Sequence, residues 1–126
     1  MGVTYDTGAL VAADRGERRM WARHRALLRL REVPTAPAAV VAQAWRGGSG
    51  QARLTRFLVG SDIESLDDHH ARQVGQLLAK ASVAEVVDGC VTEGALRRRD
   101  LVISSHPEDL RALAGAVNRR LEVEYP

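Results

Sequence analysis

VTYDTGALVAA, residues Val3 to Ala13, is the stretch that decides the fold. A short apolar run ends on a lone acid, Asp6, and gives way to a run of small residues suited to a helix. A strand with an acid at its carboxyl end is the usual opening of an open α/β sheet, in which ligands bind beside the strand ends where strand order reverses. Asp6 and Thr7 also fit a plainer role, since Asp and Thr before an apolar run are ordinary helix caps.

Working outward, the pattern predicts a strand over Val3–Asp6, a helix over Thr7–Ala13 stopped near Gly16, and a longer helix from Glu17 to about Arg31. The longer helix carries Met20, Trp21, Leu27 and Leu28 at helical spacing. His24 on that stripe reads as a packed histidine. Arg15, Arg18, Arg19, Arg23, Arg25, Arg29 and Arg31 decorate the rest, as a solvated face or, in the alternative, a phosphate-facing one. Val33–Thr35 is a second strand. Pro37 suits the first turn of the next helix, on which Val40, Val41, Ala44 and Trp45 form the expected buried face. Gly47-Gly48-Ser49-Gly50 follows a helix rather than a strand, which argues for a flexible turn and against a phosphate loop.

Gln51–Val59 continues as a helix through Leu54, Phe57 and Leu58, and Ile63–Leu66 is a third strand. Asp67 or Asp68 caps a helix whose Ala71, Val74, Leu77 and Leu78 face inward, with the adjacent His69 and His70 as first-turn surface residues. Ser82-Val83-Ala84-Glu85 has the form of a capping box. It opens a helix with Val87, Cys90, Val91, Gly94 and Ala95 on one stripe. Leu101–Ser104 is a further strand, Pro107 starts the last helix, and Leu121–Glu124 is an edge strand. Trp21, Trp45 and Phe57 are assigned to core or dimer packing.

Strands alternate with helices throughout, which implies a parallel sheet covered on both faces. At 126 residues the chain reads as one domain, residues 1–126. One cysteine, Cys90, excludes an internal disulfide and a Cys-based zinc site. No apolar run approaches the ~18 residues of a membrane span, so a cytoplasmic location is expected. A net charge of +2 is too small to argue for nucleic acid by itself. Asp6-Thr7-Gly8-Ala9 matches the D-T-G-A string of aspartic proteases, but those are nearly all-β and this pattern is mostly helical. A dinucleotide fingerprint after Asp6 is absent.

Parallel topology brings Asp6, the turn after Ser104 and the helix start near Glu85 toward one sheet edge. Glu85 and Asp88, three apart, share a helix face, and His106 follows the last central strand. Clustered carboxylates repel unless protonated or neutralised by a hard cation such as Mg²⁺ or Mn²⁺, and such an ion activates water against phosphodiesters. The plain alternative for Glu85 and Asp88 is capping and helix-dipole stabilisation.

Over nearly its full length the chain resembles a PIN domain of the VapC type, the ribonuclease toxins of bacterial toxin–antitoxin pairs. The matching pieces are VTYDTGALVAA, PAAVVAQAWRGGSGQARLTRFL, LLAKASVAEVVDGCV and DLVISSHPEDLRAL. The resemblance implies a three-layer α/β fold with a central parallel sheet of four to five strands. It also implies an endoribonuclease using Mg²⁺ or Mn²⁺, a homodimer, and a cognate VapB-like antitoxin. Asp6 matches the first family acid. Gln43 stands where the second, usually Glu, is expected, Glu85 at the third, Asp88 at an extra acid of some members, and His106 at the fourth. Asp6, Glu85 and Asp88 are the implied metal ligands. Thr7, Arg46 and Ser104 are candidate RNA contacts. Because Gln43 and His106 replace acids, the alternative is a catalytically degenerate binding module that keeps antitoxin or RNA affinity.

Overall fold

The structure is a computed structural model that describes residues 2–126. Five strands, β1 (Val3–Tyr5), β2 (Thr35–Pro37), β3 (Asp62–Glu64), β4 (Leu101–Ile103) and β5 (Val123–Glu124), form one sheet in the order β3-β2-β1-β4-β5. Every pairing is parallel, as the strand–helix alternation requires. Helices α1 (Thr7–Asp14) and α2 (Arg18–Arg29) link β1 to β2, and α3 (Ala38–Ala44) and α4 (Ala52–Val59) link β2 to β3. The chain then returns across the sheet through α5 (Asp68–Ala81) and α6 (Val86–Arg98) to β4, and α7 (Pro107–Gly115) leads to β5. Strand order therefore reverses between β1 and β4; α1, α2 and α4 pack together on one face and α5, α6 and α7 on the other, with α3 also reaching α6.

Burial follows from these layers. Tyr5, Leu10, Met20, Leu54 and Phe57 are fully buried where α1, α2 and α4 meet the sheet, and Phe57 stacks on Tyr5 at 5.0 Å between ring centres. His24 is packed, as its place on the apolar stripe indicates. It lies 4.1 Å from the Phe57 ring, and its Nδ1 is hydrogen-bonded to Tyr5 Oη at 2.9 Å. Burial, reinforced by the nearby Arg25, lowers its pKa and keeps it neutral. On the other face Val74, Leu78, Cys90 and Leu113 form a second cluster between α5, α6 and α7.

Several local expectations are corrected. The second strand lies at Thr35–Pro37, not Val33–Thr35: Val33 is exposed, and Pro37 ends the strand as the residue before α3. Only Val40 of the expected α3 face is buried, and Trp45 is 39% exposed, because α3 is only seven residues long and the chain leaves it in an extended conformation at Trp45. The glycine-rich turn is tied down by Gln51, whose Oε1 accepts from the Arg46 and Gly47 amides and whose Nε2 donates to Ala44 O. Ala71 faces solvent. Asp67 does cap α5, accepting from the His70 amide.

The capping box is not formed. Ser82 is the left-handed C-cap of α5, and Glu85 is the N-cap residue of α6 with no side-chain cap bond. One serine cannot both end α5 in the left-handed region and cap a helix that starts four residues later. His70 is not a surface residue either: Nε2 lies 2.5 Å from Glu93 Oε1, inside a network in which Arg97 and Arg98 hold Glu64. Burial works to raise the Glu64 pKa, but these two guanidiniums outweigh it and hold the carboxyl low. Only Glu93 and Arg97, four apart on α6, carry a spacing that links them; Glu64 on β3 and His70 on α5 join the network through contacts that no sequence spacing announces.

Candidate active site

Asp6 is the residue on which the site is built. It is 3% exposed and stands at the carboxyl end of β1, beside the strand-order switch with β4. Its Oδ1 accepts from the Thr7 amide at 2.7 Å and its Oδ2 from Ser104 Oγ at 2.5 Å. Both readings of Asp6 thus hold together, because the carboxylate caps α1 while keeping lone pairs free for another partner. Ser104 Oγ in turn accepts from the His106 amide at 2.9 Å, which fixes the turn from β4 into α7. Gly8 is required here by space: a Cβ would collide with the Ser105 hydroxyl and backbone.

A cavity of about 890 Å³ opens at this edge. Its walls bring together all five residues singled out for catalysis, Asp6, Gln43, Glu85, Asp88 and His106, and add Asp109. Gln43 is tied to the wall, its Oε1 accepting from Thr7 Oγ1 at 2.5 Å. Asp88 shows the electrostatic character of the cluster. Burial first, then the charges of Asp6, Asp109 and Glu85, push its pKa up to about 6, and His106 offsets only part of this.

Asp109 escaped the sequence pattern, although a signal was present. It lies three residues after His106 in the first turn of α7, the same spacing that linked Glu85 to Asp88. Of the candidate RNA contacts, Thr7 lines the cavity, whereas Ser104 is fully buried under Asp6 and is a tether. Arg46 is absent from the cavity wall and folds its guanidinium onto the carbonyls of Ala42 and Trp45.

Among the described residues, no three His, Cys, Asp or Glu side chains stand close enough to form a ready-made cation cage. The donor chemistry nonetheless suits Mg²⁺ or Mn²⁺. These ions keep several waters and need one or two carboxylates from the protein, and the repulsion from Asp6, Asp109 and Glu85 that adds to burial in raising Asp88 is what a bound cation relieves.

No protein-family model and no curated protein sequence matches the chain. Among solved structures it is similar to a chain of VapBC2 from Rickettsia felis bound to a DNA fragment from their promoter. The TM-score is 0.68 at 13% identity, and the match covers 100% of this chain and 99% of that one. At that identity the likeness shows the fold alone: a PIN-like α/β arrangement of five parallel strands flanked by helices. No described helix is long and apolar enough to cross a membrane.

Proposed function

We propose that the protein is a metal-dependent endoribonuclease of the VapC toxin type, with activity reduced by the loss of two acids, and that it pairs with a VapB-like antitoxin. One observation carries this reading: Asp6, Glu85, Asp88 and Asp109 line one cavity at the strand-order switch, where burial and then the neighbouring acids push Asp88 up to about 6. Asp6, Glu85 and Asp88 would hold the cation. When bound, Mg²⁺ or Mn²⁺ lowers the pKa of water and offsets charge on the phosphoryl group. Ser104 and the Thr7 amide orient the Asp6 carboxylate. His106, exposed on the rim, offers a nitrogen where a fourth carboxylate is absent, which shifts preference toward Mn²⁺.

The degenerate reading also has a specific observation behind it. Gln43 is neutral, and with one lone pair already accepting from Thr7 it offers a cation a single carbonyl lone pair and no charge. Incubating labelled RNA with Mn²⁺ separates the two readings. Cleavage by the wild type that disappears in Asp6→Asn supports the enzyme. Equal inertness of both proteins across Mg²⁺ and Mn²⁺ overturns it and leaves the binding module.

A further inference from the structure

The active-site cavity uses little of the protein's positive charge. Between Arg15 and Arg56 the chain carries ten arginines against two glutamates, so the basic residues are concentrated rather than spread. The fold gathers four of them. Arg18 and Arg25 from α2, and Arg53 and Arg56 from α4, line a second concavity of about 700 Å³ together with Gly16 and Trp21.

Three features set this concavity apart from a solvated basic face. None of the four arginines forms an ion pair or a side-chain hydrogen bond among the described residues, whereas Arg23, Arg97 and Arg98 all do. Two of the guanidiniums are nevertheless placed: Arg25 lies over the Trp21 ring, 5.7 Å from its centre, and Arg53 packs against Gly16, whose φ of +73° and missing Cβ admit it. Four like charges held in one concavity without acids repel one another, and an anion relieves that cost. Guanidinium forks match phosphate oxygens in particular. The third feature is position. The α1–α2 turn separates the two cavities, with Arg15 and Glu17 lining the acidic one while Gly16 and Arg18 line the basic one.

We propose that the Arg18–Arg25–Arg53–Arg56 concavity holds the phosphate backbone of a single-stranded nucleic acid that passes over the α1–α2 turn into the acidic cavity. This rests on the nuclease reading, since it places the substrate strand outside the cutting centre. The repeating phosphates of one strand match an array of four unpaired forks in a way that a single free anion does not. The contacts carry no base selectivity, because phosphate contacts position a strand and do not read sequence.

The test is binding of a fluorescein-labelled single-stranded RNA 12-mer in EDTA, where no cutting occurs, so failure of the nuclease reading cannot be mistaken for failure here. Arg18→Gln/Arg56→Gln alters two exposed side chains outside the acidic cavity and is compared with Arg29→Gln/Arg120→Gln, which makes the same change of net charge elsewhere. The expected result is about tenfold weaker binding for the first variant only. Its slope of log affinity against log salt should be shallower by about 1.4, at roughly 0.7 for each single-strand phosphate that is no longer neutralised. An unchanged affinity and slope, or an equal loss in both variants, would overturn the proposal. So would tighter binding of a glutamate-rich 12-residue peptide than of the RNA at the same salt, lost in the first variant, because the concavity would then serve an acidic protein segment. Separately, wild type that binds in EDTA but never cuts with Mn²⁺ would remove the enzyme while leaving the concavity a nucleic-acid site.

Discussion

Replacing Asp88 by Asn should stabilise the protein at neutral pH and do nothing for it in acid. The folded-state pKa of about 6 lies above the 3.8 of an unperturbed Asp, so the folded protein binds this proton more tightly than the unfolded chain. The linkage therefore penalises the native state as pH rises from about 4 through 6, with the full penalty present above 6. A shift of about 2 units corresponds to about 3 kcal/mol. Asp88 is only partly buried, and screening by solvent cuts this to about 1–2 kcal/mol. For 126 residues that corresponds to about 4–8 °C in Tm. Urea denaturation of wild type and Asp88→Asn, each at pH 4 and pH 7.5 without divalent ions, measures it. The variant should be more stable at pH 7.5 and equal at pH 4. Asp109→Asn removes one of the charges that raise Asp88, so the benefit of Asp88→Asn should be smaller in that background. A pH-independent difference, or a variant less stable at pH 7.5, refutes the reasoning that burial, reinforced by neighbouring like charges, disfavours the ionised Asp88 in this cavity.

Tyr5→Phe leaves His24 Nδ1 buried without its 2.9 Å partner and should cost about 1–3 kcal/mol by urea titration; a neutral effect would mean that the imidazole finds water. Gly8→Ala drives a methyl into Ser105 and should destabilise by about 1–3 kcal/mol, and it should depress RNA cleavage further by displacing the turn that carries His106. Arg98→Met strips a guanidinium from Glu64, Asp100 and Thr4 at once. The loss should be about 1–3 kcal/mol, measured by thermal unfolding at pH 7, because buried Asp100 is left with the Thr4 hydroxyl alone while Glu64 keeps Arg97.

The sheet and its helices were legible because each element carried its own period and its own punctuation, from the small residues after Asp6 to Pro107 opening α7. The convergence of the candidate residues was legible as far as topology reaches: parallel strands deliver Asp6 and the turn after Ser104 to one edge, whatever the side chains do. What was illegible depended on contacts between distant residues. Ser82 fits a capping box by spacing, yet the end of α5 claims it. His70 pairs with Glu93 across two helices, a relation with no local signature. Asp109 had the right spacing from His106 but stood outside the positions that the resemblance singled out. Arg18 and Arg25 read as part of a solvated face or, in the alternative, a phosphate-facing one, and no spacing joined them to Arg53 and Arg56 on α4 until the fold brings the four into one concavity.

The most direct measurement is a titration of the protein with Mn²⁺ at pH 7.5, following the paramagnetic resonance of the free aqueous ion, for wild type, Asp6→Asn and Asp88→Asn. Loss of the free-ion signal with one ion taken up per wild-type chain, abolished in Asp6→Asn and weakened in Asp88→Asn, is the expected result. A wild type that leaves the signal untouched, or an Asp6→Asn variant that takes up the ion as the wild type does, would contradict a cation site anchored on Asp6.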